Sequence, residues 1–187
     1  MKFVWGITGA GDLMPELFDI MEDLSRNPDV EITVALSSAA RTVLRWYKLS
    51  ERLERLPCRV HEEKDANTPF LAGPLQAGKY DFLLVAPLTA NSAAKIAHGI
   101  ADTLITNCVA QTSKGTAPVY LLPVDGKPGI TTTTLPDGSS FQLRVRALDV
   151  ENADRLRSVE GLHVLDAPGD VRAIVDDFLR REGGARP

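Results

Sequence analysis

The chain has 187 residues, 44% of them hydrophobic and 25% charged, with a formal net charge of −4 and a pI near 5.4. That length lets one domain bury its own core, and the charge balance excludes a broad basic footprint for nucleic acid or an anionic membrane. No stretch approaches the roughly 20 apolar residues of a membrane span; Cys58 and Cys108 form neither a disulfide framework nor a metal cluster motif, and His61, His98 and His163 lack ligand spacing. The expectation is a single domain over 1–187, without a metal, in a reducing cytoplasm.

Lys2 to Thr8 reads as a short strand apolar on both faces, which is the pattern of a buried parallel strand. Gly9-Ala10-Gly11 turns it into a helix, with Asp12 as the expected N-cap, Pro15 in the first turn, and Leu13, Leu17, Ile20, Met21 and Leu24 at helical spacing. After Asn27-Pro28-Asp29 comes a second strand, Val30 to Leu36, closed by Ser37-Ser38. One helix is expected from about Ala40 to Leu56, then a short helix or irregular turn from Asn67 to Leu75, interrupted by Pro69 and Pro74.

Phe82-Leu83-Leu84-Val85-Ala86 is the next strand, expected to end at Pro87. Small polar residues follow, and then a helix with Ala93, Ala94, Ile96, Ala97 and Ile100 close-packed on it. Ala117 to Leu122 is a further strand. This alternation of strand and helix predicts an α/β protein, a Rossmann-like (flavodoxin-type) doubly wound parallel sheet. The pattern then breaks: Ile130 to Leu135 and Ser140 to Val145 flank Pro136-Asp137-Gly138 and predict a β-hairpin, an arm over about 128–146 appended outside the main sheet. Asp149 to Val159 reads as a helix and Gly161 to Leu165 as a last strand. Asp170 to Arg181 reads as an amphipathic helix with Val171, Ile174, Val175 and Phe178 on one face, ahead of a frayed tail over 182–187.

Ligand sites in such folds lie where strands hand over to helices at the carboxyl edge of the sheet. Three such turns stand out. Gly6-Ile7-Thr8-Gly9-Ala10-Gly11 offers free amides and a positive helix end to an anion, with the spacing G-x-x-G-x-G rather than the dinucleotide G-x-G-x-x-G. The second strand ends in Leu36-Ser37-Ser38-Ala39-Ala40-Arg41, where a dinucleotide fold places an acid for the ribose diol. Hydroxyls and a guanidinium suit a terminal phosphate instead, so a mononucleotide is favoured; capping of the next helix by Ser37 or Ser38, and a surface salt bridge at Arg41, stand beside that reading. The third turn is Pro87-Leu88-Thr89-Ala90-Asn91-Ser92. No G-x-x-x-x-G-K-[ST] occurs, which excludes a P-loop nucleotide triphosphatase.

Together these turns resemble the homo-oligomeric flavin-containing cysteine decarboxylase superfamily, whose P-x-S-A-N-T turn is similar to Pro87-Leu88-Thr89-Ala90-Asn91-Ser92. The continuation Ala94-Lys95-Ile96-Ala97 through Gly99-Ile100-Ala101-Asp102 and Leu104 resembles that family's helix, and the likeness covers roughly Lys2 to Leu122. The resemblance implies FMN bound at a subunit interface and a homo-oligomer built from trimers. On that basis Thr8, Gly9, Ala10, Gly11, Ser37 and Ser38, with Arg41, surround the FMN phosphate. Pro87, Leu88, Thr89, Ala90 and Asn91 lie along the isoalloxazine ring, and Ser92 and Lys95 serve the adjacent site, with a solvated helix position the other reading of Lys95.

The departures narrow the branch. Decarboxylases of the superfamily carry a catalytic histidine about fourteen residues before the turn's proline, a position that falls on Gly73 here, and the place of their P-x-M-N-x-x-M-W clamp holds Pro123-Val124-Asp125-Gly126-Lys127-Pro128-Gly129. Decarboxylation of a cysteine is therefore not expected. Trp5 to Gly11, Leu135-Pro136-Asp137-Gly138 and Asp149-Val150-Glu151-Asn152 through Leu156, Glu160 and Gly161 instead resemble the archaeoflavoprotein and dihydromethanopterin reductase branch. Two cysteines cannot supply an iron–sulfur cluster's four thiolates, so the resemblance is to the cluster-free bacterial type. It implies ping-pong hydride transfer through FMN to a pterin substrate, from an electron donor that the motifs leave unnamed, with solvent, Asp102 or Lys95 as the proton source. Flavin prenyl transfer, an unusual decarboxylase and a non-catalytic electron carrier are the rival readings.

Overall fold

The computed structural model describes residues 1–184. Six parallel strands form one sheet: β1 (Lys2–Ile7), β2 (Glu31–Leu36), β3 (Arg59–Glu62), β4 (Phe82–Leu88), β5 (Val119–Pro123) and, last in the chain, β8 (Leu162–Val164). Their spatial order is β3-β2-β1-β4-β5-β8. Without the short edge strand β3, the remaining five strands follow the flavodoxin-type order 2-1-3-4-5. The strand order reverses between β1 and β4, and there the crossover helices leave to opposite faces and open a crevice at the carboxyl ends.

The helices are α1 (Met14–Ser25), α2 (Ser38–Trp46), α3 (Ser50–Glu54), α4 (Ala72–Gln76), α5 (Ala90–Ala97), α6 (Leu104–Thr112), α7 (Ala147–Arg157) and α8 (Gly169–Gly184). Side chains alternate across the sheet into two cores. Phe3, Trp5 and Ile7 of β1 pack with Leu17, Phe18 and Met21 of α1 and with Val171 and Val175 of α8. Val4 packs on the other face with Leu83, Val85, Ile105 and Leu156. Phe82 stacks on Phe3 at 4.4 Å and meets Phe178 at 4.9 Å, which fixes α8 against the sheet. Burying each large apolar side chain contributes about 1.5–3 kcal/mol. This two-sided burial is why strands β1 and β4 read as continuous apolar runs.

The hairpin forms as expected, β6 (Ile130–Thr134) pairing antiparallel with β7 (Ser140–Arg144) in a separate two-stranded sheet. Two contacts tie it to the body: the Tyr47 hydroxyl donates to the Thr134 carbonyl at 2.8 Å, and the Thr133 hydroxyl donates to the Asp12 carboxylate at 3.3 Å.

Several elements differ from the sequence reading. Asp12 does not cap α1: Leu13 takes that position with φ 63°, and the displaced Asp12 side chain is left to receive Thr133. The helix expected over 40–56 breaks into α2 and α3. Lys48 adopts φ 56°, its amide donates to Arg45 and that of Leu49 to Leu44, so a left-handed cap ends α2 with Leu44 and Leu49 both buried. The same device ends α5 at Gly99, φ 72°, where the Ile100 amide donates to the Lys95 carbonyl. Ile100 is therefore beyond the helix and exposed, and of the five residues expected to pack only Ala93 is fully buried. A capping box between Thr103 and Thr106 then starts α6, which the sequence reading did not separate. β4 runs through Pro87 to Leu88, its pairing with β5 shifting register between Val85 and Leu88, where Pro87 has no amide to give. α8 extends to Gly184, past the expected start of a frayed tail; 185–187 lie outside the described residues.

Candidate functional site

The crevice between β1 and β4 is locked from below by Thr8. Its side chain is buried; the hydroxyl donates to the Pro87 carbonyl at 2.8 Å and accepts from the Thr89 amide at 2.8 Å. The Thr8 amide also donates to the Pro87 carbonyl, at 3.2 Å. One side chain thus fixes the first and third turns against each other, which places Thr8 as a brace beneath the site, with its hydroxyl already engaged. Pro87 and Leu88 are likewise buried in β4, their side chains in the protein interior and only the turn beyond them at the surface.

Gly9 brings the first turn against the second. A Cβ there would lie 2.6 Å from the Cβ of Ala39 in α2, so only glycine permits this approach of the two helix starts. Gly11 faces the Tyr47 ring with no room for a side chain. In the second turn, the Ser37 side chain accepts from the Ala40 amide at 3.1 Å and caps α2. That leaves its hydroxyl proton directed by whatever acceptor arrives. Ser38 is otherwise engaged: its amide and hydroxyl both donate to one oxygen of Glu63, at 2.7 and 3.0 Å, and the other Glu63 oxygen accepts from the Leu104 amide at 2.8 Å. Arg41 forms an exposed salt bridge with Glu62 at 2.6 Å.

The third turn carries Thr89 as the N-cap of α5, its hydroxyl accepting from the Ser92 amide at 3.2 Å and donating to the Ser92 hydroxyl at 3.0 Å. Ala90 and Asn91 follow at the rim, with Asn91 exposed. Lys95 reaches back to Asp102, its ammonium 2.8 Å from both carboxylate oxygens. The hydrogen bond from Lys95 holds the Asp102 carboxyl below the usual range, so Asp102 is an ionised acceptor near neutral pH, the reverse of a proton donor.

A different carboxyl shifts in the opposite direction. Asp125 follows β5 at the same edge of the sheet, in a loop held to β4 by the Val124 amide donating to the Leu88 carbonyl at 3.1 Å. Burial, then the negative charges of Asp149 and Asp12, push its pKa up, with Arg146 opposing. Asp149 is itself buried and held bidentately by Arg146 at 2.7 and 2.8 Å. Sequence reasoning missed Asp125, Glu62 and Glu63. The signal available for Asp125 was its position just after a strand at the carboxyl edge; Glu62 and Glu63 end and follow β3, a strand with no apolar alternation to mark it.

Close backbone approach at Gly9, the Ser37 hydroxyl at the start of α2 and the exposed Asn91 are compatible with a flavin mononucleotide, whereas the Ala10 amide already donates to the Thr8 carbonyl at 2.9 Å. At Ser38 and Arg41 the donors are already occupied by carboxylates. The flavoprotein family profile matches residues 1–179 of the chain. The chain belongs to this family. An uncharacterized protein of Methanocaldococcus jannaschii is 49% identical to this flavoprotein over 175 residues, 94% of each. The dihydromethanopterin reductase (acceptor) of the same organism is 40% identical over 160 residues, 80% of this chain and 65% of the reductase. Among solved structures, Burkholderia xenovorans DmrB in complex with FMN, described as a cubic protein cage for redox transfer, superposes with a TM-score of 0.81 at 30% identity over 97% of both chains. Among the described residues no helix is long and apolar enough to cross a membrane, and no group of three or more histidines, cysteines and carboxylates is arranged to hold a metal ion.

Proposed function

We propose that this flavoprotein is an FMN-dependent oxidoreductase that reduces dihydromethanopterin to tetrahydromethanopterin, working by alternate contact of an electron donor and the pterin with one cofactor. The observation that carries this reading is the convergence of three strand-to-helix turns at the β1/β4 crevice. Family membership and 40% identity to a dihydromethanopterin reductase support it. FMN, when bound, would supply the two-electron hydride chemistry that links an electron donor to the C=N bond of the pterin.

The chain supplies position and polarity. Gly9, Gly11 and Ser37 hold the phosphate with amides and a hydroxyl, Ser37 at the start of α2. Thr89, Ala90 and Asn91 present donors and acceptors along the ring edge, and Ser92 stands next to the substrate position. Thr8 keeps the phosphate and ring turns in register, so that bound reactants meet already oriented, an effect worth up to roughly 7–11 kcal/mol of barrier. The proton that must reach the pterin nitrogen is assigned to the Asp125 carboxyl, which follows β5 at the same sheet edge and whose pKa is raised, whereas that of Asp102 is lowered. The assembly is a homo-oligomer built from trimers, and the cytoplasm is its proposed site of action.

The test is direct. Purified protein should be yellow with an FMN spectrum, and under anaerobic conditions its reduced form should be reoxidised by dihydromethanopterin with stoichiometric tetrahydromethanopterin. Bleaching by donor followed by no reoxidation on adding pterin would replace the reductase with an electron carrier. A colourless protein that refuses FMN would remove the flavin site altogether.

A further inference from the structure

We propose that Glu63 is a specificity-determining residue of the flavin site, an internal anion that competes with the phosphate of FMN for the amide and hydroxyl of Ser38. This rests on the reading of the first two turns as the phosphate seat. Glu63 lies just beyond β3 and spans the starts of two nine-residue helices, receiving the Ser38 amide and hydroxyl from α2 and the Leu104 amide from α6. Helix starts favour negative charge, and a carboxylate there satisfies the same donors that a phosphate oxygen would take.

The neighbouring residue repeats the pattern. Glu62 takes the Arg41 guanidinium, the one cation that the second turn brings to this place, at 2.6 Å. Two successive carboxylates at the end of one edge strand therefore engage the Ser38 amide and hydroxyl and the Arg41 guanidinium, groups of α2 that suit a phosphate dianion. Two anions cannot share a single amide, so a phosphate reaching Ser38 must displace Glu63. Displacement is open to it, because the Glu63 side chain is only half-buried and has solvent on one side. The apparent affinity for FMN is then lowered by the fraction of molecules in which Glu63 holds the seat. Riboflavin, which has the same ring and ribityl chain without the phosphate, does not contest Ser38 and is indifferent to Glu63.

The experiment uses the full chain stripped of flavin and compares wild type with Glu63→Gln and Glu63→Ala, titrating FMN and riboflavin separately by quenching of flavin fluorescence. Glu63→Gln retains an acceptor for one amide and removes the charge; Glu63→Ala clears the seat. The expected result is FMN bound about tenfold more tightly by both variants, with riboflavin changed by less than about twofold. Glu62→Gln, which frees Arg41 without touching the two helix starts, should tighten FMN in the same direction and gives a second measure should either Glu63 variant fold poorly. Equal changes for FMN and riboflavin, or weaker FMN binding by folded Glu63→Gln, overturn the proposal and leave Glu63 as a clasp between α2 and α6. Riboflavin bound as tightly as FMN by wild type and by Glu63→Ala alike would overturn the phosphate seat itself, a failure distinct from that of the competition.

Discussion

Ser37 and Asn91 pose opposite problems for mutagenesis. Ser37 caps α2, so Ser37→Ala should cost about 0.5–2 kcal/mol of folding stability whatever binds there. It should also cost about 1–3 kcal/mol of FMN affinity if its hydroxyl meets the phosphate. Urea unfolding of the flavin-free protein isolates the first effect; the FMN dissociation constant then gives the second, and unchanged FMN retention would leave Ser37 a cap alone. Among the described residues the Asn91 side chain makes no hydrogen bond, so Asn91→Ala should leave the apoprotein midpoint unmoved while weakening FMN and shifting its visible bands; full occupancy with an unaltered spectrum would take Asn91 out of the site. The two thiols follow from burial. Cys108 is fully buried and its pKa is pushed up to about 12, and burial raises Cys58 too, so neither is a reactive thiolate near neutral pH. The placement of Ser37 was legible because it directly follows an apolar run, and that of Asn91 because it stands three residues past one. The salt bridge of Arg41 stood among the readings, but its partner and that of Ser38 were not legible, because they lie 21 and 25 residues away in the chain.

Where sequence reading failed among the elements, backbone geometry had overridden composition. β3, with the sequence RVHE, sits at an exposed edge and carries charges that blunt it, so no apolar alternation announced it. α2 stops at a left-handed lysine where glycine or asparagine is the usual marker. That lysine offers a test: Lys48→Gly relieves a left-handed strain of about 1–2 kcal/mol and adds roughly 0.5–1 kcal/mol of unfolded-state entropy cost, for a net gain of about 0–1.5 kcal/mol. A higher urea midpoint at constant m-value would show it; a lower one would mean that the Lys48 side chain contributes more than its backbone costs. Thr8 tests the other kind of element contact, between turns. Thr8→Val keeps the β-branched shape but deprives the Thr89 amide of its acceptor, so stability should fall by about 1–3 kcal/mol and FMN affinity should fall with it. Lost stability with intact FMN affinity would show that the third turn holds its shape without the brace.

At the scale of the whole molecule, the doubly wound sheet gathers residues from five separate turns onto one edge, and the electrostatics of that edge set its pH response. Asp125 in the loop after β5 feels Asp149 of α7 and Asp12 of the first turn, with Arg146 as the opposing cation. Burial first, then repulsion from Asp149 and Asp12, raises the Asp125 pKa, so its neutral form persists to higher pH than that of a free aspartate. The sign for catalysis follows: proton delivery is available below the raised pKa and is lost as pH rises through it. The sign for stability is the same, since the folded state binds this proton more tightly than the unfolded chain, and the contribution present at low pH disappears through the same window. Asp102 runs the other way; Lys95 lowers its pKa, and its contribution is lost only as pH falls through that depressed value. Single-turnover reoxidation of the reduced enzyme by dihydropterin should therefore slow with rising pH in wild type. Asp125→Asn should be slower at low pH and nearly flat across the range, with reduction by the donor unchanged. An Asp125→Asn profile that retains the wild-type slope would return the proton to solvent and leave Asp125 a structural acid at the end of β5.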